Sequence, residues 1–277
     1  VTAKSRNGSQ TAFVTGAARG LGRAIALSLA GAGFDVALLD RCKDLPTSLV
    51  ELSGREDLDA AVEEVRRRGV QAWGIVADVT VEDDMRRAAG EAIDRFGRLD
   101  AVVANAGIWS VGKVWDLTEE QWDETIAVNL KGAWLTAKHT LPPMLGQKSG
   151  TIIFISSIDG LRAEADYAHY VASKHGVIGL MKAVALEAGP SNVTANAVCP
   201  TNLNTKMVTG SAGTEFFAGA GGEIHAAVGE QNLLPGRGAI APEDVAEVVA
   251  WLASPAARHI TGHALPVDAG WIAKRGG

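Results

Sequence analysis

Tyr170 and Lys174 stand four positions apart and form the pair in this sequence best suited to moving a proton. On a helix that spacing puts both side chains on one face. A free phenol, with a pKa near ~10, is a poor base at neutral pH. A neighbouring ammonium, helped by any further cation, favours the phenolate and lowers that pKa. A tyrosine so placed can take the hydroxyl proton of an alcohol as hydride departs, or protonate a developing alkoxide in the reverse direction. Tyr/Lys pairs also occur on ordinary amphipathic helices, so the assignment depends on what surrounds the pair. Tyr167 is seven residues before Lys174, about two helical turns away. It is too far to share the lysine charge and reads as a pocket wall.

Ser157 follows an apolar strand-length run, where a hydroxyl can donate to a substrate oxygen and stabilise its charge in the transition state. Ser156 points to the other side of an extended chain. Asn129 lies inside a helical pattern, an unfavourable place for asparagine unless its amide is used. His139, His169 and His175 have no partners at metal-ligand spacing, so they read as surface or packing residues, and no metal site is expected.

The segment AFVTGAARGLGRAIA reads as strand, turn and helix. Gly16, Gly20 and Gly22 suit a tight turn, close approach to a pyrophosphate and close helix packing, with the positive helix end directed at the phosphates. The confirming context is the strand before the turn and an acid, Asp40, ending the next strand. A carboxylate there accepts from both adenosine ribose hydroxyls and repels a 2′-phosphate, which favours NAD(H) over NADP. Arg19 and Arg41 pull the other way, because either could meet a phosphate.

These residues need a scaffold. Candidate strands at Thr11–Thr15, Val36–Asp40, Gln71–Ala77, Ala101–Ala104, Thr151–Ile155, Thr194–Val198 and Leu265–Val267 are short and apolar on both faces, as in a sheet covered on both sides. Between them fall helical patterns at Leu21–Ala32, Leu58–Arg68, Met85–Phe96, Glu119–Leu141, Tyr170–Ala188 and Pro242–Ser254. This alternation predicts an α/β fold: one Rossmann-type domain over residues 11–272, with a doubly wound, mostly parallel seven-stranded sheet. Two long connections, 41–57 and 201–234, leave strand carboxyl ends and so can reach a ligand there. The second carries Phe216 and Phe217 and reads as a substrate lid. Residues 1–10 read as a disordered lead.

Of the 277 residues 47% are hydrophobic, enough for a sizeable core. The formal charge of −6 argues against nucleic acid or an anionic membrane as a partner. No apolar run approaches the ~20 residues of a membrane span. Two cysteines, Cys42 and Cys199, do not make a disulfide framework, and a cytoplasmic setting is expected.

The ordered strings TGAARGLG (Thr15–Gly22), DV (Asp78–Val79), NAG (Asn105–Gly107), VN (Val128–Asn129), ISS (Ile155–Ser157), YVASK (Tyr170–Lys174) and VDAG (Val267–Gly270) resemble the short-chain dehydrogenase/reductase family over nearly the whole chain. The long connection 41–57, CPTNLNT at Cys199–Thr205 and HITGHALPVDAG resemble its carveol-dehydrogenase-type, mycofactocin-associated subgroup. The resemblance implies Ser157, Tyr170 and Lys174 as the catalytic set, supported by the thirteen-residue spacing from Ser157 to Tyr170. Asn129 would hold a water linking Lys174 to solvent, and Lys174 would also bond the nicotinamide ribose. Asp78 and Val79 would flank adenine, and Asn105, Ala106 and Gly107 the adenosine-side ribose. Pro200, Leu203 and Thr205 would meet the nicotinamide carboxamide, while Leu21 completes the glycine turn. Thr201 stands where most relatives have glycine and puts the local backbone path in question. In the subgroup the 41–57 loop covers a cofactor that does not exchange freely, and electrons pass to an external partner, here a mycofactocin-type acceptor. A homotetramer or dimer through the helices at Glu119–Leu141 and Tyr170–Ala188 is also implied.

Candidate pocket walls are Ile108, Trp109, Ile158, Asp159, Tyr167, Phe216 and Phe217. They are mostly apolar and suit a hydrophobic secondary alcohol or its ketone, such as a cyclic terpenoid. A 3-oxoacyl-[acyl-carrier-protein] reductase and a non-catalytic NAD-binding regulatory protein are the alternatives.

Overall fold

Neighbouring residues of a strand face opposite sides of a sheet, and here both sides are apolar. In β1 (Thr11–Thr15) Phe13 enters one core, whereas Ala12 and Val14 enter the other. The computed structural model describes residues 8–49, 51–205, 232–235 and 239–274. Within them β1 is joined by β2 (Asp35–Asp40), β3 (Ala72–Val76), β4 (Ala101–Ala104), β5 (Gly150–Ile155), β6 (Val193–Pro200) and β7 (Ala264–Val267). They form a seven-stranded sheet in the order β3-β2-β1-β4-β5-β6-β7. Every pairing is parallel, which makes this the doubly wound, Rossmann-type sheet expected. The order reverses between β1 and β4, so the crevice for a ligand opens there, at strand carboxyl ends.

Helices α1 (Gly20–Gly31), α2 (Arg55–Arg66) and α7 (Pro242–Leu252) cover one face, burying Ile25, Leu29, Leu58, Val62, Val245 and Val249. Helices α3 (Glu82–Phe96), α5 (Gly132–Gln147) and α6 (Ala168–Ala188) cover the other with Met85, Leu135, Met144, Val177 and Met181. Their ends follow from sequence. Glu82, Asp83 and Asp84 sit in the first turn of α3, and Gly97 closes it at φ 84°, matching the helix dipole and the left-handed cap position. Pro242 opens α7, where a missing N–H costs nothing. A last short helix, α8 (Trp271–Lys274), buries Trp271.

Several expectations need correction. Trp73 and Val76 of β3 are exposed, because β3 is an edge strand rather than one covered on both faces; Arg95 lies over the Trp73 ring. The helix anticipated at Glu119–Leu141 is two. α4 (Glu119–Ile126), opened by a capping box of Thr118 and Gln121, passes through a π-turn at Ala127–Lys131 into α5. α5 also runs through Pro142 and Pro143 to Gln147, so the prolines do not stop it. α2 starts at Arg55, three residues before the anticipated Leu58, which shortens the open part of the 41–57 connection. Thr201 leaves the backbone path intact: its N–H donates to Val267 O at 3.1 Å, prolonging the β6–β7 ladder. Phe216, Phe217, most of the 201–234 connection and residues 1–7 lie outside the described residues.

Candidate active site

The turn after β1 is held from below. Thr15 Oγ accepts the N–H groups of Asn105 and Ala106 at 3.0 and 3.1 Å. The Asn105 amide donates to Thr15 O and Gly16 O at 2.8 and 3.2 Å. Gly16 has φ +65°, which L side chains rarely adopt, and a Cβ there would lie 2.9 Å from Ala106 Cα. Asn105 therefore shapes the phosphate turn with its side chain, a role its motif alone does not reveal.

Asp40, at the end of β2, is buried and accepts three hydrogen bonds, from Ala18 N–H (3.1 Å), Cys42 N–H (3.2 Å) and the Ser53 hydroxyl (3.0 Å). A carboxylate offers about four acceptor positions, so one remains unless Ser53 turns away. Both arginines that could have met a phosphate already have protein partners. Arg41 pairs with Asp78 at 3.4 Å, and Arg19 donates to Glu51 O. The 41–57 connection folds toward the crevice through Ser53 on Asp40 and Thr47 on Glu124. Ser53 has no signal in the sequence, since a lone loop serine carries no pattern.

Asp78, just past the end of the neighbouring strand β3, also takes the N–H and hydroxyl of Thr80. One cavity of about 1330 Å³ runs from Gly16, Arg19, Gly20, Leu21, Gly22 and Asp40 past Arg41, Asp78 and Val79 and on to Asn105, Ala106 and Gly107. It continues to Ser157, Tyr170, Lys174, Pro200, Thr201, Leu203 and Thr205. Ligand pockets for small molecules usually measure about 300–1,000 Å³, so there is room for a dinucleotide and a second molecule. Ile108, Trp109, Ile158, Asp159 and Tyr167 line the same space. The described candidates are thus brought together around one crevice, with one exception: Asn129 is not on its wall.

At the inner end, Lys174 is buried and its Nζ donates to Ile155 O at 3.0 Å. That nitrogen lies 5.4 Å from the centre of the Tyr170 ring. Ser156 Oγ donates to Lys174 O at 2.9 Å, which ties α6 to the end of β5 and leaves Ser157 to face the crevice. The Ser157 hydroxyl lies beside the Tyr170 phenol, close enough to favour its ionisation. The expected depression of the Tyr170 pKa is not produced by the chain alone. Burial, and then the charge of Asp159, raise it, while the Ser157 hydroxyl lowers it. Lys174 is itself pushed down to about 8, chiefly by burial, so its own charge is easily lost. Within the polypeptide, burial and Asp159 together oppose ionisation of Tyr170.

Asn129 sits in the π-turn and is almost fully buried. Its Oδ1 accepts from Ile108 N–H at 2.9 Å, and its amide donates to Ile108 O and Ser173 Oγ at 3.0 and 3.1 Å. Its side chain therefore clamps the loop after β4 to α6, the local use of the amide that a mid-helix asparagine requires. Tyr167 stacks edge-on against both Trp109 (6.4 Å) and Tyr170 (6.0 Å). Its hydroxyl donates to Glu164 at 3.1 Å. Glu164 and Trp271 also line the cavity; neither has a motif to mark it. His169 is buried, with Nε2 2.7 Å from Ser110 Oγ, a packing residue.

The chain matches the family model described as "Enoyl-(Acyl carrier protein) reductase" over residues 16–272. It is 38% identical over 272 residues to (-)-trans-carveol dehydrogenase of Rhodococcus erythropolis, covering 96% of this chain and 98% of that protein. It is 36% identical over 271 residues, with the same coverage, to an uncharacterized NAD-dependent oxidoreductase of Mycobacterium tuberculosis. Among solved structures, a carveol dehydrogenase from Mycobacterium avium in complex with NAD superposes with a TM-score of 0.93 at 33% identity, over 98% of this chain and all of that one. With its sheet order, its glycine turn and its Ser157–Tyr170–Lys174 cluster in one crevice, this chain belongs to the short-chain dehydrogenase/reductase family.

Proposed function

We propose that this NAD-dependent oxidoreductase interconverts a hydrophobic secondary alcohol, of the size of a cyclic terpenoid, and its ketone. The observation that carries the reading is the single crevice joining the glycine turn to Ser157, Tyr170 and Lys174. The residues present fit a dinucleotide. At Gly22 the space a Cβ would need is already filled by Gly16 O, which brings the α1 N-terminus tight under the phosphate position. Gly16, Gly20 and Gly22 would hold the pyrophosphate, Asp40 the adenosine ribose, and Lys174 the nicotinamide ribose. When bound, NAD supplies the hydride acceptor and a positive ring beside Tyr170. The protein's own part is to bind the alcohol between Tyr167, Trp109 and Ile158 and to present Tyr170 to its hydroxyl proton. Ser157 bonds the same oxygen. Asn129 keeps the floor of the site in place and, with a water, connects Lys174 to solvent.

Asp40 also supports the choice of dinucleotide. Asp40→Asn removes the charge that repels a 2′-phosphate; its one amide oxygen can still accept from Cys42 and Ser53, while the bond from Ala18 N–H to Oδ2 is given up. The preference for NAD over NADP, measured as a ratio of dissociation constants by titration calorimetry, should fall at least about tenfold. An unchanged ratio would mean that the carboxylate does not discriminate.

The reading extends to how the cofactor is kept. The 41–57 connection is fastened at Asp40, Arg19 and Glu124, as a cover over the adenosine end would be. NAD then stays on the protein between turnovers, electrons leave to an external acceptor of the mycofactocin type, and the protein assembles as a homotetramer or dimer. Freshly purified protein, denatured and analysed for nucleotide, should release close to one NAD or NADH per chain, and turnover should need an artificial acceptor. Full activity of nucleotide-free protein in added NAD would remove the covered-cofactor part and leave the alcohol chemistry standing.

A further inference from the structure

Ser157 has one hydroxyl proton, and Asp159 competes for it with Tyr170 and with any substrate oxygen. Its Oγ donates to Oδ2 of Asp159 at 3.2 Å and accepts the Asp159 N–H at 3.1 Å. Asp159 belongs to a short 3-10 turn, Ile158–Gly160, lines the same cavity and is only 9% exposed. Its other oxygen, Oδ1, is buried and has no hydrogen-bond partner among the described residues. A hydroxyl that gives its proton to a carboxylate offers lone pairs everywhere else. The oxygen of an alcohol being oxidised, or a ketone being reduced, gathers negative charge in the transition state and needs donors. An ionised Asp159 therefore withdraws the donor that Ser157 is there to provide, and adds a negative charge beside it.

Adding one proton reverses the polarity. Neutral Asp159 can donate from Oδ2 to Ser157 Oγ. The serine then accepts from Asp159 twice, through the carboxyl and through the backbone N–H, and its own proton is free to turn to the reacting oxygen. We propose that Asp159 is a positioning residue that switches Ser157 between acceptor and donor, so that the neutral carboxyl is the form competent in catalysis. This rests on the alcohol/ketone reading of the site.

The surroundings suit a carboxyl that changes state. Glu164 and Arg162 face it from the following loop, paired with each other at 2.7 Å. Tyr167, capping α6, and Tyr170, Lys174 and His175 on α6 are the other titratable groups near it. Burial and then the Glu164 charge push Asp159 up to about 6, against the bond from Ser157 and the charges of Arg162 and His175. For a carboxyl raised in this way the neutral form prevails at low pH and is lost as pH rises past that value, about tenfold per pH unit.

The experiment is the pH profile of the single-turnover rate at which cyclohexenone, a cyclic ketone, is reduced by wild type and by Asp159→Asn, each carrying its cofactor in the NADH form. Tyr170 must be protonated in that direction, so it does not mask the Asp159 limb. Wild type should decline steadily above about pH 6. In the variant, the side-chain amide donates to Ser157 as the neutral acid does, and it does so at every pH. Asp159→Asn should therefore hold its rate and exceed wild type at least about tenfold at pH ~8. In a Ser157→Ala background the same change should leave the profile where it was. Parallel profiles for wild type and Asp159→Asn, or an effect that survives in Ser157→Ala, would overturn the switch.

A second readout needs neither substrate nor cofactor. Wild type should show an infrared carboxylic-acid band that titrates above the ordinary carboxylate range and is missing in Asp159→Asn. With Tyr167→Phe as background, phenolate absorbance should appear at lower pH once Asp159 is neutralised, because its charge opposes ionisation of Tyr170. A band titrating in the ordinary range, or an unmoved phenolate, would count against the proposal. No turnover of any alcohol or ketone by wild type would instead fault the alcohol reading, with these spectra still deciding the state of Asp159.

Discussion

Replacing Tyr170 with phenylalanine is expected to lower kcat by about 10²–10⁴-fold, with NAD still held by the protein. The change removes one oxygen from a ring that stays packed edge-on against Tyr167, so shape is kept and acid/base capacity is lost. What remains near the reacting oxygen is Ser157, which can polarise but cannot carry the proton away. The structure sharpens this expectation. Left to the polypeptide, Tyr170 is held protonated by burial and by Asp159, and Lys174 is bonded to Ile155 O. On the proposed reading the phenol becomes a useful base once bound cofactor adds positive charge, so the loss should fall on turnover and not on assembly of the site. Steady-state kinetics with saturating acceptor, beside nucleotide content after denaturation, separate the two. A variant with wild-type turnover would point to an NAD-binding protein whose activity does not pass through this residue.

The parts of this site that local chemistry dictates are legible in the residues. A strand, three glycines at turn spacing and an acid ending the next strand specify a nucleotide crevice, because each position answers a separate steric or electrostatic demand. Tyr170 and Lys174 share a helix face by arithmetic, and strand alternation sends the Ser156 hydroxyl to α6, where it bonds Lys174 O. Features that depend on contacts between distant segments are not readable in this way. Asn129 stands out as misplaced in a helix, yet its clamp on Ile108 reaches from a π-turn to the loop after β4, a contact 21 residues apart in sequence. Asp159 reads in the sequence as one wall among apolar ones. Its hold on the Ser157 proton needs the 3-10 turn that folds it back by two residues. Pro142 and Pro143 signal a helix end, but the buried Met144 keeps α5 going beyond them. Tertiary packing overrides the local signal there, as it does in leaving the β3 edge partly bare.

Gly22→Ala is expected to do the greatest damage per atom added. The new methyl would sit 2.0 Å from Gly16 O, 2.8 Å from Gly16 C and 2.6 Å from Asn105 Nδ2. Two of those neighbours are backbone and cannot rotate aside. The third is the amide that fastens the turn to Thr15 O and Gly16 O. To make room, either α1 slides off the turn or Asn105 releases it, and in both cases the phosphate-facing N–H groups lose their aim. Overpacking of this kind costs about 1–3 kcal/mol, a fall in Tm of about 5 °C for a chain of this size. The larger effect should be on binding: NAD affinity should drop at least about a hundredfold, because freed N–H groups no longer converge on the pyrophosphate. Gly31→Ala supplies the comparison within the same helix, since among the described residues nothing lies within 4 Å of a Cβ there, and alanine is the better helix former. That variant should melt at or slightly above the wild-type temperature and bind NAD unchanged. Melting curves of both proteins with and without NAD would test the pair. If Gly22→Ala kept both its stability and the upward shift that NAD confers, close contact between the helix and the turn would not be what builds the dinucleotide site.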